Sequence, residues 1–122
     1  IEAKYENALK TLRDGHHNDA AVLFEQIVNQ YPDSEFADNP QYWLAETMYI
    51  NSDFESAKAA FQRVVDDYPD SSKVPDALLK LAFIAFETHH VTDGKKQLST
   101  LIKDYPESTA ARLAQQRLEK VR

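Results

Sequence analysis

Two histidine pairs, His16-His17 and His89-His90, are the side chains in this sequence best suited to a metal. A zinc site needs three or four nitrogen, sulfur or carboxylate ligands converging on one point. Neither pair has carboxylates at ligand spacing, and the chain has no cysteine. Both pairs read as solvated turn histidines, so no metal and no cofactor are expected. Asp66-Asp67 resembles a carboxylate pair for acid–base work, but adjacent residues on a helix point in different directions. Serines and threonines gather at turns and helix starts, with no base placed to activate a hydroxyl. Gly15 and Gly94 are the only glycines, too few for a phosphate-cradling loop. The sequence therefore reads as a non-enzyme. An enzyme would need a cluster of perturbed titratable groups in a deep pocket.

Composition narrows the partners. The formal net charge is −6, which argues against nucleic acid, whose binding depends on Lys and Arg neutralising phosphates. Charge is uneven, because Arg112, Arg117, Lys120 and Arg122 face only Glu119 in the last fourteen residues. That basic end is either a docking face or a helix C-terminus whose dipole favours cations. No apolar run approaches the roughly 18 residues that cross a bilayer, so membrane insertion is not expected. The opening Ile1-Glu2-Ala3-Lys4 does not read as a secretion signal. At 122 residues, rich in Ala, Leu, Glu, Gln, Lys and Asp, the chain reads as one all-α domain.

Internal repetition supplies the architecture that must position any site. Tyr31-Pro32-Asp33-Ser34 recurs as Tyr68-Pro69-Asp70-Ser71 and as Tyr105-Pro106-Glu107-Ser108, an interval of 37 residues. The same interval aligns Ala8 with Ala45 and Ala82, and Ala20 with Ala57 and Gly94. It aligns Phe24 with Phe61 and Leu98, and Ile27 with Val64 and Leu101. Each unit reads as two helices, the second ending at Tyr-Pro because proline lacks an amide hydrogen and drives its predecessor out of the α region. Asp or Glu followed by Ser supplies turn chemistry and N-caps, and Ser52 with Glu55 reads as a capping box. The expected helices lie near 2–14, 18–31, 39–51, 53–67, 74–88, 92–104 and 108–121. They group as repeats at about 2–34, 39–71 and 74–108, with 108–121 as a capping helix whose loss should expose the last unit. A unit of this size cannot cover its own apolar face, so three copies must stack.

The small, aromatic and proline positions match the tetratricopeptide motif. Ala8, Ala45 and Ala82 match its small first-helix residue, and Ala20, Ala57 and Gly94 the small residue where the helices cross. Phe24, Phe61 and Leu98 match its large second-helix residue, and Pro32, Pro69 and Pro106 its terminal proline. The expected fold is a right-handed superhelix of three helix pairs. The motif repeats every 34 residues, and the three extra residues here should lengthen each first helix by nearly a turn. The longer linker, the Tyr-Pro-Asp/Glu-Ser signature and Tyr42-Trp43-Leu44-Ala45 make essentially the whole chain resemble the C-terminal domain of the Tol-Pal system protein family. That resemblance implies a periplasmic location, an N-terminal coiled coil that trimerises the full protein, and binding to TolA, coordinating outer-membrane constriction with peptidoglycan synthesis during division. Outer-membrane lipoproteins of the β-barrel assembly machinery carry similar Tyr-Pro-x-Ser repeats and are the alternative. A homotypic assembly module, acidic body against basic C-terminal helix, is a third reading.

First helices of such a superhelix line its concave side. Counting from Ala8, Ala45 and Ala82, the positions three before, one after and four after should face a groove that binds a polypeptide at micromolar order. These are Tyr5, Leu9 and Leu12 in unit one, Tyr42, Glu46 and Tyr49 in unit two, and Leu79, Phe83 and Phe86 in unit three. Nearby polar candidates are Arg13, Asn39, Asp76 and Glu87. Tyr49 and Phe86 lean to the core, while Tyr5, Tyr42 and Phe83 lean to the groove. Trp43 is expected to pack on the preceding second helix.

Overall fold

The computed structural model describes residues 2–32 and 35–121. Seven α-helices make it up: α1 (Glu2–Arg13), α2 (His17–Gln30), α3 (Asp38–Ile50), α4 (Phe54–Asp67), α5 (Val74–Glu87), α6 (Val91–Asp104) and α7 (Thr109–Val121). A 3₁₀ turn, Glu35–Ala37, leads into α3. No strand occurs among the described residues. Each helix packs on the next in sequence, and α7 also packs on α5.

The repeat interval is realised in three dimensions. Every residue at the three small-residue and large-residue positions is buried: Ala8, Ala45 and Ala82; Ala20, Ala57 and Gly94; Phe24, Phe61 and Leu98; Ile27, Val64 and Leu101. They belong to three successive core layers. Phe24 and Ile27 pack with Ala8 and Leu44, Phe61 and Val64 with Ala45 and Ala77, and Leu98 and Leu101 with Leu79, Ala110 and Leu118. The apolar face of α7 (Ala110, Ala111, Ala114, Leu118) is thus buried on the third pair.

Termini obey the same interval. The amides of Tyr31, Tyr68 and Tyr105 donate to the carbonyls of Ile27, Val64 and Leu101 at 2.9, 3.1 and 2.9 Å, after which proline stops the helix. Ser108 caps α7, its hydroxyl accepting from Ala111 N at 2.9 Å. Ser71 instead pins its loop, donating to Asp38 at 2.6 Å and accepting from Lys73 N. The corresponding turn residues Asp33 and Ser34 lie outside the described residues, as does Arg122 of the basic end.

Two expectations need correction. Ser52 is not a capping-box residue: it adopts φ 60°, and Asp53 caps α4 by accepting from Ser56 N at 3.4 Å. Ser52 shares left-handed backbone with His89 (φ 66°) and Gly15 (φ 87°), each 37 residues from the next. In all three the following amide reaches back five residues, His16 to Thr11, Asp53 to Met48 and His90 to Ala85, the bond that closes a Schellman turn. The three extra residues per repeat also do not lengthen the first helices. They sit in the linkers, as the 3₁₀ turn before α3 and as turns between Asp67 and Val74.

Candidate partner-binding groove

The first helices α1, α3 and α5 carry the predicted groove positions. Helical spacing places these residues side by side, and the repeat carries them from layer to layer. Tyr5, Leu9 and Leu12 are half-buried against the first core layer, with the Tyr5 ring tilted 58° to Phe24 at 6.2 Å. Tyr49 is half-buried and meets Phe54 edge-on at 5.6 Å. Phe83 and Phe86 are half-buried beside the third layer.

Tyr42 and Leu79 depart from expectation. They are 7% and 4% exposed, too enclosed to offer a partner an apolar surface. Tyr42 is taken up by packing, edge-on to Phe61 and Trp43, both at 5.6 Å, because α5 lays Val74 and Ala77 over it. Leu79 is covered by α7 through Ala110, Ala114 and Leu118. Both form the floor. Trp43 also packs against the first core layer, as Tyr5 does, and meets Tyr42 edge-on. Among the polar candidates, Arg13 and Glu87 are exposed, Asn39 and Asp76 half-buried.

Polar groups organise this surface more than its sequence positions foretold. The Tyr42 hydroxyl donates to Glu46 Oε2 at 3.2 Å, and Glu46 Oε1 pairs with Lys80 Nζ at 3.2 Å. Lys80 stands 4.8 Å from the Tyr49 ring centroid, and Lys73 lies 4.9 and 5.7 Å from the rings of Tyr42 and Trp43. From α7, the Arg117 guanidinium covers Phe83 at 5.1 Å and Phe86 at 4.9 Å. Such cation–ring contacts hold long side chains in place. Burial pushes the Tyr42 phenol far above its ordinary range, with Glu46 and Asp76 adding to the effect. Tyr49 rises through burial, then through Glu87 and Glu46, with Arg117 opposing. Tyr5 also rises, chiefly through burial. All three phenols stay protonated and can donate hydrogen bonds at neutral pH.

Lys73, Lys80 and Arg117 are the residues that sequence reasoning missed. Carrying the interval of 37 onto Trp43 gives Lys80 and then Arg117, and that signal marks two of them. Elsewhere, α4, α5 and α6 enclose a cleft of about 630 Å³ floored by Leu78, Leu81 and Ile84. Among the described residues no three His, Cys, Asp or Glu side chains gather as a metal site, and no helix is long and apolar enough to cross a membrane.

Comparison with known proteins fits this geometry. The profile of the family described as "YfiO: Outer membrane lipoprotein" matches residues 2–122. A search of curated proteins returns no match. Solved structures share the fold. The Yersinia enterocolitica type III secretion translocator chaperone SycD superposes with TM-score 0.80 at 15% identity, covering 98% of this chain and 81% of that one. The Arabidopsis OM64 TPR domain gives 0.78 at 13%, covering 98% and 93%. Nearly identical TPR-like repeats of kinesin-light-chain type from Podosopora anserina give 0.78 at 16%, covering 98% of this chain and 64% of theirs. The fold is thus an all-α tetratricopeptide-like superhelix, an architecture typical of protein–protein interaction modules.

Proposed function

Since the chain belongs to the YfiO outer membrane lipoprotein family, we propose that it is a non-catalytic scaffold of the bacterial envelope, working on the periplasmic side of the outer membrane. It grips a segment of a partner protein along the concave face formed by Tyr5, Leu9, Leu12, Glu46, Tyr49, Phe83 and Phe86. One observation carries this reading. At the repeat's structural positions every side chain is sealed in the core, whereas Leu9, Leu12, Tyr49, Phe83 and Phe86 remain half-exposed across three layers. An apolar surface kept partly in water on a rigid frame gains by covering it with a partner, and Tyr and Phe supply area at little entropic cost.

Two partner readings follow, each from its own observation. The family match favours a component of outer-membrane assembly. The Tyr42-Trp43-Leu44-Ala45 stretch with three Tyr-Pro-Asp/Glu-Ser turns favours TolA and a role in envelope constriction during division. Under the second reading the full-length protein also trimerises through an N-terminal coiled coil, which sedimentation of that protein tests.

The domain immobilised as bait in a bacterial periplasmic extract separates these readings. Recovery of β-barrel assembly components supports the first and recovery of TolA the second. In either case Tyr49→Ala with Phe86→Ala should abolish recovery. Recovery of neither, or equal recovery by the double variant, refutes the groove.

A further inference from the structure

The gaps between successive second helices differ from one layer to the next. Between α4 and α6 lies the cleft of about 630 Å³ floored by Leu78, Leu81 and Ile84 of α5. At roughly 100° per residue these side chains leave α5 away from Leu79, Phe83 and Phe86, so the cleft opens on the outer side of the superhelix, behind the concave groove. One repeat earlier, the equivalent floor residues Gln41, Leu44 and Thr47 are sealed, at 1, 6 and 0% exposure. The walls there carry Ala21 on α2 and Ala59 and Ala60 on α4. In the later layer those positions hold Lys58, Lys96 and Gln97, and Leu78 and Leu81 stay half-exposed. Alanine lets two helices approach, whereas long polar side chains keep their heads in water and leave the floor uncovered.

Charge is ordered along the rim. The helices α4 and α6 are repeats of one another and run the same way. Their charges fall in matching steps, Glu55 and Asp93 in the first turns, then Lys58 and Lys96 one turn on. All four are exposed, and none makes an ion pair among the described residues. A carboxylate pair followed about 4.5 Å along by an ammonium pair is met by an occupant carrying cations and anions in the same order. Both walls are helices whose backbone groups are bonded internally. An extended segment would hold its own amides unpaired over the apolar floor, whereas a helix satisfies them itself. A lipid tail would cover the floor but leave rim charges of both signs unmet.

We propose that this cleft seats an amphipathic helix of a partner protein, antiparallel to α4 and α6, with its apolar stripe on Leu78 and Leu81. On each flank that helix carries Asp or Glu, which meets Lys58 or Lys96, and one turn later Lys or Arg, which meets Glu55 or Asp93. The antiparallel direction places acidic before basic residues, the order that also stabilises the bound helix itself. The proposal does not rest on the concave groove, and failure of either surface leaves the other standing.

The probe is a stapled, end-blocked peptide of about four turns with a leucine stripe and, on each flank, Glu one turn before Lys. Its control has the same stripe and Gln at every flank position. Binding to the whole domain is read from the Leu78 and Leu81 methyl signals by NMR. The charged peptide should give saturable shifts, and the control should bind at least about tenfold more weakly, because four ion pairs are lost. A nitroxide on the charged peptide's N-terminus should broaden the amides of Gln62 and Thr100 more than those of Glu55 and Asp93. Lys58→Glu with Lys96→Glu should remove the preference for the charged peptide, and Lys120→Glu on the exposed side of α7 should leave it intact. Leu78→Gln copies Gln41 of the closed layer and should weaken both peptides, while circular dichroism confirms the helices. Equal binding of the two peptides, a preference that survives the double lysine variant, or shifts centred on Phe83 in place of Leu78 and Leu81 overturns the proposal. Broadening in the reverse order overturns the antiparallel arrangement. Decanoate shifting these methyls where neither peptide does would make the cleft a lipid site, and shifts that grow with protein concentration alone would assign it to a second copy; either overturns the partner helix.

Discussion

Gly15, Ser52 and His89 occupy the same left-handed turn in three layers, and only the first has the residue that this backbone favours. Holding an L-residue there costs about 1–2 kcal/mol through the clash of its Cβ with the backbone. Glycine avoids the clash but loses more freedom on folding, about 0.5–1 kcal/mol. Replacing Ser52 or His89 with glycine should therefore stabilise the domain by a net of roughly 0.5–1 kcal/mol each. Both side chains are exposed, so no packing is lost. The reverse change, Gly15→Ala, meets no atom within 4 Å, so its cost of about 1 kcal/mol is purely conformational. The turns are separate, and the double variant should gain about 1–2 kcal/mol, raising Tm by on the order of 3–8 °C. Urea titration followed by circular dichroism reads this as a higher midpoint at unchanged slope. A lower midpoint for either glycine variant, or a higher one for Gly15→Ala, would refute the shared turn geometry.

Phe61→Ala should cost about 3–5 kcal/mol, because it empties a fully buried site in the middle core layer; calorimetric melting checks it. Gln41 is buried, its Nε2 donating to Ala60 O at 2.9 Å while its Oε1 has no partner among the described residues. Gln41→Leu, which copies Leu78 one layer on, should stabilise by about 1 kcal/mol in urea titration, since relief of the unpaired oxygen and added apolar burial outweigh one bond. Tyr42 holds its proton more tightly folded than unfolded, because its phenol is raised above the ordinary value near 10. Its contribution is therefore complete below about pH 10 and declines as pH rises toward the folded value. Tyr42→Phe should flatten, without abolishing, the alkaline fall in Tm, since Tyr5 and Tyr49 are raised as well.

What the sequence made legible was whatever recurs. Small-to-small and large-to-large alignment at 37 residues identified the helix pairs and the buried positions, because a stacked layer imposes the same volume on each copy. Tyr42 and Leu79 were misplaced for the complementary reason. Helical spacing gives the direction of a side chain, but whether the next helix covers it depends on the angle between layers. Ser52 with Glu55 fits a capping box by spacing alone, but the Schellman turn moves the cap one residue on to Asp53. Lys73, Lys80 and Arg117 were hidden because long cations read as solvent-facing, although their stems can lie along apolar rings.

A partner that lies on the half-exposed rings of the first helices must lose affinity when those rings are removed. Calorimetry of the partner recovered by the domain tests this most directly, comparing wild type with Tyr49→Ala plus Phe86→Ala and with Val22→Ala, an exposed residue of the second helix α2. Loss of the two ring anchors should weaken binding by about 2 kcal/mol or more, roughly thirtyfold, at unchanged helical content, while Val22→Ala binds as wild type. Undiminished affinity in the double variant, or a comparable loss in Val22→Ala, would rule out the first-helix rings as the binding face.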